Sequence, residues 1–194
     1  MIEYDSNTAL VVVDCQNDFA DPKGSLFVSG AGEVLAEVNR HVIRAVAAGA
    51  KVAYTQDWHP SSTPHFEKDG GVWPVHCLAD TWGSEFHPRL IVAGPSVKKG
   101  SNGEDGYSGF AMRDPKTETV IPTELDSILR LAKIRHVVVV GLALDYCVKA
   151  TALDAVKLEY RATVPSSATA AVNLNPSDGV DSIEELIEAG ISVV

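Results

Sequence analysis

Two apolar runs, Ala9-Leu10-Val11-Val12-Val13 and His136-Val137-Val138-Val139-Val140, are continuous rather than alternating, the pattern of strands buried on both faces. Lys51-Val52-Ala53-Tyr54-Thr55 and Ile191-Ser192-Val193-Val194 also read as strands, with weaker signals at Ser96 to Lys99 and Arg161 to Val164. Between them lie helical patterns. Val34, Leu35, Val38, Val42, Ala45 and Val46 recur at helical spacing and stop at Gly49. Thr123 to Lys133 places Leu125, Ile128, Leu129 and Ala132 on one face, and Asp145 to Leu158 forms a third helix. Ser182-Ile183-Glu184-Glu185 has the form of a capping box and predicts a helix start there. Strand and helix alternate, and short crossovers between buried strands favour parallel pairing. The expectation is an α/β fold, a three-layer α/β/α arrangement with a mostly parallel central sheet. At 194 residues, a single domain over 1–194 is expected.

Residues 58 to 95 break this rhythm. They hold His59, His65, His76, His87, all three tryptophans and several prolines without a clear period. A long irregular segment in a compact domain is usually functional, and this one begins where a strand ends, the edge at which ligands gather in open α/β sheets. Composition narrows the function. The net charge of -10 argues against a nucleic-acid partner, which needs clustered Lys and Arg. No apolar run approaches the ~20 residues of a membrane span, and the opening Met1-Ile2-Glu3-Tyr4-Asp5 lacks the pattern of a signal peptide. Cys15, Cys77 and Cys147 are odd in number and widely spaced, which suits reduced thiols and a cytoplasmic setting. A small molecule is the expected partner, with homo-oligomerisation left open.

Cys147 carries the clearest chemical signal. It lies in Gly141-Leu142-Ala143-Leu144-Asp145-Tyr146-Cys147-Val148, where a buried strand turns into a helix. A cysteine in a first helical turn faces the positive end of the helix and free N–H groups, which favour the thiolate and can hold an oxyanion. The plainer alternative is a small core residue, the commonest role of a buried cysteine. Asp14 follows the first apolar run and should reach the same sheet edge, where it could take a thiol proton and return it to a leaving amine; it could equally be a turn cap. Lys99 ends a weak strand and could bring a cation there, although most lysines are solvated. Asp57 and His59, two apart in an extended segment, face the same way, and with His65 and His76 they offer one carboxylate and three imidazoles. That mixed set suits one divalent metal ion, with zinc preferred and iron or manganese as alternatives. His41, His87 and His136 read as structural or surface residues. Gly100 to Gly106 is glycine-rich but acidic, and it lacks the strand-to-helix context of a nucleotide-binding loop.

Taken together, these motifs resemble one family over nearly the whole chain. Asp14-Cys15-Gln16-Asn17-Asp18-Phe19, Gln56-Asp57-Trp58-His59-Pro60, Trp73-Pro74-Val75-His76-Cys77, Lys99-Gly100, Tyr107-Ser108-Gly109-Phe110 and Gly141 to Val148 appear in order. They are similar to those of the nicotinamidase/pyrazinamidase group of the isochorismatase-like cysteine hydrolases. The resemblance implies the fold of those hydrolases and conversion of nicotinamide, and of pyrazinamide, to the acid and ammonia through a thioester. It implies a catalytic triad of Asp14, Lys99 and Cys147, and a divalent ion held by Asp57, His59, His65 and His76. It further implies a cis peptide between Leu142 and Ala143, an oxyanion hole from the N–H groups of Ala143 and Cys147, and a pyridine pocket lined by Phe19, Trp73 and Tyr107. Leu144 departs from the small threonine usual at its position, which bears on substrate preference. Alternatives are a carbamoyl or other small-amide cysteine hydrolase of the same fold, whose relatives lack the metal set, and a non-catalytic module with a structural metal.

Overall fold

The computed structural model describes residues 2–194. The first apolar run forms β1 (Thr8–Val13), buried along its whole length. After it come a short helix α1 (Asn17–Ala20), the long helix α2 (Ala31–Ala47) and β2 (Lys51–Asp57). The irregular segment then leads to β3 (Ser96–Lys99), and a small antiparallel hairpin pairs β4 (Ala111–Arg113) with β5 (Val120–Pro122). Helix α3 (Leu125–Leu131) precedes β6 (His136–Leu142), which runs through a π-helical turn, Leu144–Val148, into α4 (Lys149–Lys157). The chain ends with β7 (Arg161–Val164), β8 (Thr169–Ala170), α5 (Asp178–Glu188) and β9 (Ser192–Val193).

The main sheet has the order β3-β2-β1-β6-β7-β9, with β8 added beside the end of β6, and its pairings are parallel. Successive side chains of β1 feed opposite layers, as strand geometry requires. Leu10 and Val12 pack under α2 with Val34, Leu35, Val38 and Val42, whereas Ala9, Val11 and Val13 pack with Leu125, Leu129, Ala152 and Leu186 from α3, α4 and α5. The expected three-layer, mostly parallel α/β fold is therefore present. No helix among the described residues is long and apolar enough to cross a membrane.

Three expectations need correction. The last helix starts at Asp178 rather than at Ser182, whose side chain is buried in the helix interior beside Gly179 and Leu186. Its S-x-x-E spacing falls within a helix that had already begun. The helix expected from Thr123 to Lys133 is shorter, Leu125–Leu131. The helix carrying Cys147 opens with the π-helical turn, a feature frequent at functional sites.

Candidate active site

Register brings the candidate residues together. In the parallel β2–β3 pair, Asp57 lies opposite Lys99; in the β1–β6 pair, Val13 lies opposite Gly141. Four chain segments thus finish at one carboxyl edge, with Asp57 and Lys99 ending β2 and β3, Asp14 just after β1, and Cys147 in the turn that follows β6. Gly141 has φ 111°, and a side chain there would run into the backbone of Val13, so only glycine lets β6 lie this close to β1 at the turn. The Leu142–Ala143 peptide is cis, as the resemblance implies.

Lys99 is at the centre. Its Nζ donates to Asp14 Oδ2 at 2.8 Å, to the Tyr107 carbonyl at 3.3 Å and to Cys147 Sγ at 3.5 Å. The same ammonium lies 2.6 Å from Asp57 Oδ1. Lys99 is 1% exposed and Asp14 is fully buried. Thr55 Oγ1 donates to the other oxygen of Asp14 at 2.6 Å. Acceptor atoms of Asp14, Asp57 and Cys147 all fall within 4.8 Å of one another.

These contacts set the protonation. Burial lowers the proton affinity of Lys99, but Asp14 and Asp57 outweigh it and hold the ammonium charged well above the usual lysine range. Asp14 is pushed up, first by burial and further by the charge of Asp57, against the pull of Lys99. Burial also works on Asp57, yet Lys99 and the neighbouring histidines hold it well below the usual carboxylate range. Cys147 is pushed well up, by burial first and then by Asp14 and Asp57, with Lys99 opposing. The pull of the helix start and of Lys99 toward the thiolate is thus opposed by desolvation and by two carboxylates, and the balance raises the proton affinity of the thiol.

A second cluster adjoins the first. Donor atoms of His59, His65 and His76 lie within 4.8 Å of one another, and Asp57 Oδ2 lies 3.8 Å from His59 Nε2 and 3.9 Å from His76 Nε2. Asp57 thus serves both clusters, one oxygen facing Lys99 and the other facing imidazoles. His76 Nδ1 bonds the Pro74 carbonyl at 2.7 Å, and His65 Nδ1 bonds Asp105 Oδ1 at 2.8 Å, which leaves Nε2 of each ring free for another role. His59 is 3% exposed, and both its ring nitrogens lack a hydrogen-bond partner among the described residues. An unpaired buried imidazole costs about 1–3 kcal/mol unless something binds it. Gly100, at φ 75°, packs so close that a Cβ would sit 2.6 Å from His59 Nδ1. The orphaned nitrogens and the N/O donor set fit a divalent cation.

Between the clusters and the surface is a cavity of about 30 Å³, lined by Phe19, Trp73, Tyr107, Tyr146, Ala143 and Cys147 among others. Trp73 Nε1 donates to the Tyr107 hydroxyl at 3.0 Å, and Tyr146 meets Trp73 edge to face at 4.9 Å. Phe19 flanks His76 at 5.4 Å. Phe19, Trp73 and Tyr107 thus all lie on this one cavity. Leu144 is buried in the core beneath α4 and does not line the cavity. Tyr146 and Thr55 were not singled out from sequence. Tyr146 adjoins Cys147 and was visible as a motif position, whereas Thr55 is an unremarkable strand residue until the register is known. His41 bonds Tyr4, His136 bonds Thr163, and His87 accepts from the Arg89 N–H, structural roles as expected.

Comparison with known proteins agrees with this geometry. A model of the isochorismatase domain matches residues 8–191. The nicotinamidase of Escherichia coli is 33% identical over 95% of this chain and 93% of its own. The crystal structure of the pyrazinamidase of Pyrococcus horikoshii in complex with zinc superposes with a TM-score of 0.85 at 34% identity, covering 97% of this chain and 98% of that one. The structure of PnC1 from L. infantum in complex with nicotinate gives a TM-score of 0.88 at 31% identity, covering 100% and 95%. The chain belongs to the isochorismatase-domain family, among its nicotinamidase and pyrazinamidase members.

Proposed function

We propose that this protein, acting as one hydrolase domain, is a nicotinamidase: a cysteine amidohydrolase that converts nicotinamide to nicotinate and ammonia and accepts pyrazinamide. The observation that carries the reading is Lys99, whose buried ammonium joins Asp14 to Asp57 and Cys147, two residues that line the aromatic cavity.

The chemistry follows from the charges. As substrate enters, Asp14 takes the Cys147 proton and the Lys99 ammonium, 3.5 Å from Sγ, balances the thiolate. Sulfur attacks the carboxamide carbon, and the oxyanion is received by the N–H groups of Ala143 and Cys147. The C–N bond breaks, Asp14 protonates the departing nitrogen, and a thioester remains. Asp14 then takes a proton from water, whose oxygen bonds the acyl carbon; the C–S bond breaks, Asp14 gives that proton to sulfur, and the acid passes its remaining proton to ammonia or solvent, leaving nicotinate, the thiol and the free Asp14 carboxylate. Phe19, Trp73 and Tyr107 hold the ring so that the carboxamide meets the sulfur. Asp57, His59, His65 and His76 would hold the divalent ion, with zinc preferred over iron or manganese. When bound, that ion supplies a Lewis-acidic anchor for the ring nitrogen.

The test is ammonia release by purified protein from nicotinamide, pyrazinamide, benzamide and an N-carbamoyl amine, before and after chelation. Turnover of both pyridine-type amides, lost on chelation and restored by zinc, is expected. Preference for the carbamoyl compound would move the protein to another small-amide hydrolase of this fold.

A further inference from the structure

Asp105 lies in the acidic, glycine-rich loop between Lys99 and Tyr107, a segment for which the proposed reaction as written has no use. Its carboxylate meets His65 Nδ1 at 2.8 Å across 40 residues of chain. The backbone behind it is fixed: the Asp105 N–H donates to the Arg113 carbonyl at 2.8 Å, and the Arg113 N–H returns a bond to the Asp105 carbonyl at 2.6 Å. The next residue, Gly106, has φ 149°, and a Cβ there would approach Met112 Cα at 3.1 Å, so the loop lies flat against β4. The hairpin therefore presents the carboxylate to His65 on a rigid support.

The three imidazoles of the cluster are held in different ways. His76 gives its Nδ1–H to a backbone carbonyl, His59 is confined by Gly100 without a hydrogen bond, and His65 faces a carboxylate. An acceptor on Nδ1 fixes the proton there, leaves the Nε2 lone pair outward, and makes the ring a stronger donor when the acceptor is charged. We infer that Asp105 is a positioning residue for the metal site, holding His65 in the tautomer and orientation that present Nε2 alongside His59 and His76. The inference rests on the metal reading above. Asp105 touches neither substrate nor ion and acts through His65. The hairpin β4–β5, outside the main sheet, thereby becomes part of the site's support.

The experiment is competition of metal-free protein with a chromophoric chelator for zinc, giving Kd without reference to turnover. Asp105→Ala should weaken zinc binding by about 10- to 100-fold. Asp105→Asn, which keeps an acceptor oxygen, should recover most of that loss. In a His65→Ala background, Asp105→Ala should change Kd no further, because its route to the ion is gone. Tyr107→Phe removes the hydroxyl that accepts from Trp73 in the same loop while keeping the ring that packs beside His65 at 6.0 Å; it should leave Kd near wild type. Unchanged zinc affinity in folded Asp105→Ala would overturn the inference. So would an equal loss in the His65→Ala background or in Tyr107→Phe, since either marks a general loosening of the loop. Wild-type protein that binds no zinc, iron or manganese would overturn the metal reading itself and this inference with it.

Discussion

Replacing Lys99 with methionine keeps most of the stem but removes the ammonium that lies 2.8 Å from Asp14 and 2.6 Å from Asp57. Both carboxylates are buried, so neither can turn to water for compensation. Breaking a buried ion pair by deleting one partner costs about 3–5 kcal/mol, chiefly from the charge left behind. For a chain of this size that is a fall in Tm of about 6–20 °C. Lys157→Met is the matched control: its partner Asp154 is also 2.8 Å away, but the pair is exposed, and such pairs contribute about 0–1 kcal/mol. Thermal and urea unfolding of metal-free protein would read both. A second substitution, Asp14→Asn in the Lys99→Met background, should recover part of the loss, because one of the stranded charges disappears. Catalysis should fall by about 10²-fold or more, as on removal of a charge-stabilising donor. If Lys99→Met melts within about 2 °C of wild type, a difference expected of an exposed substitution, the buried cation is not holding the two carboxylates together and the electrostatic account of the site fails.

Cys147→Ala should abolish ammonia release yet melt close to wild type, since a small side chain is replaced by a smaller one beside a cavity; circular dichroism with an ammonia assay decides it. All three cysteines are buried and pushed up by burial, but among the described residues only Cys147 lines the cavity. Iodoacetamide should therefore label Cys147 first in folded protein and more slowly when nicotinate is present, whereas equal labelling of Cys15 and Cys77 would contradict the cavity's role; peptide mass spectrometry gives the time courses. His41 is held below its ordinary value of 6.5, by burial first and then by Arg44, with Glu37 opposing. The unfolded chain thus binds the proton more readily, and stability drops as pH falls below about 6.5. His41→Gln should flatten that fall, measured by urea unfolding at pH 7 and pH 5, and an unchanged slope would remove His41 from the account.

What could be read from sequence was whatever depends on local order. Ala9 to Val13 is apolar on every residue because both of its faces are covered, and Gly49, at φ 71° just past α2, ends that helix as its position suggested. Asp14, Lys99 and Cys147 were visible for a related reason: each polar side chain lies at or soon after the end of a strand, and parallel strands align those ends. Register was not legible. Nothing local to Asp57 says that Lys99, 42 residues away, stands directly across from it, so one residue's two roles, facing the ammonium and facing the imidazoles, emerge only from the paired strands. The hairpin β4–β5 escaped because its two strands have three residues each and little burial, leaving no periodicity to detect.

The balance of effects on the thiol has the same root. A helix start and one lysine are features that a sequence displays, and both favour the thiolate. Desolvation and the second carboxylate, Asp57, act through space; burial is the largest influence on the thiol, and it prevails over Lys99. A neutral thiol beside an elevated Asp14 also suits the chemistry better than a permanent thiolate would. In the proposed reaction the proton that Asp14 gives to the leaving nitrogen is the one it takes from sulfur, so the transfer leaves the net charge around Lys99 unchanged. Burying Asp14, Lys99 and Cys147 together would, in that proposed reaction, couple deprotonation of the nucleophile to protonation of the leaving group, a coupling that no one residue's local sequence encodes.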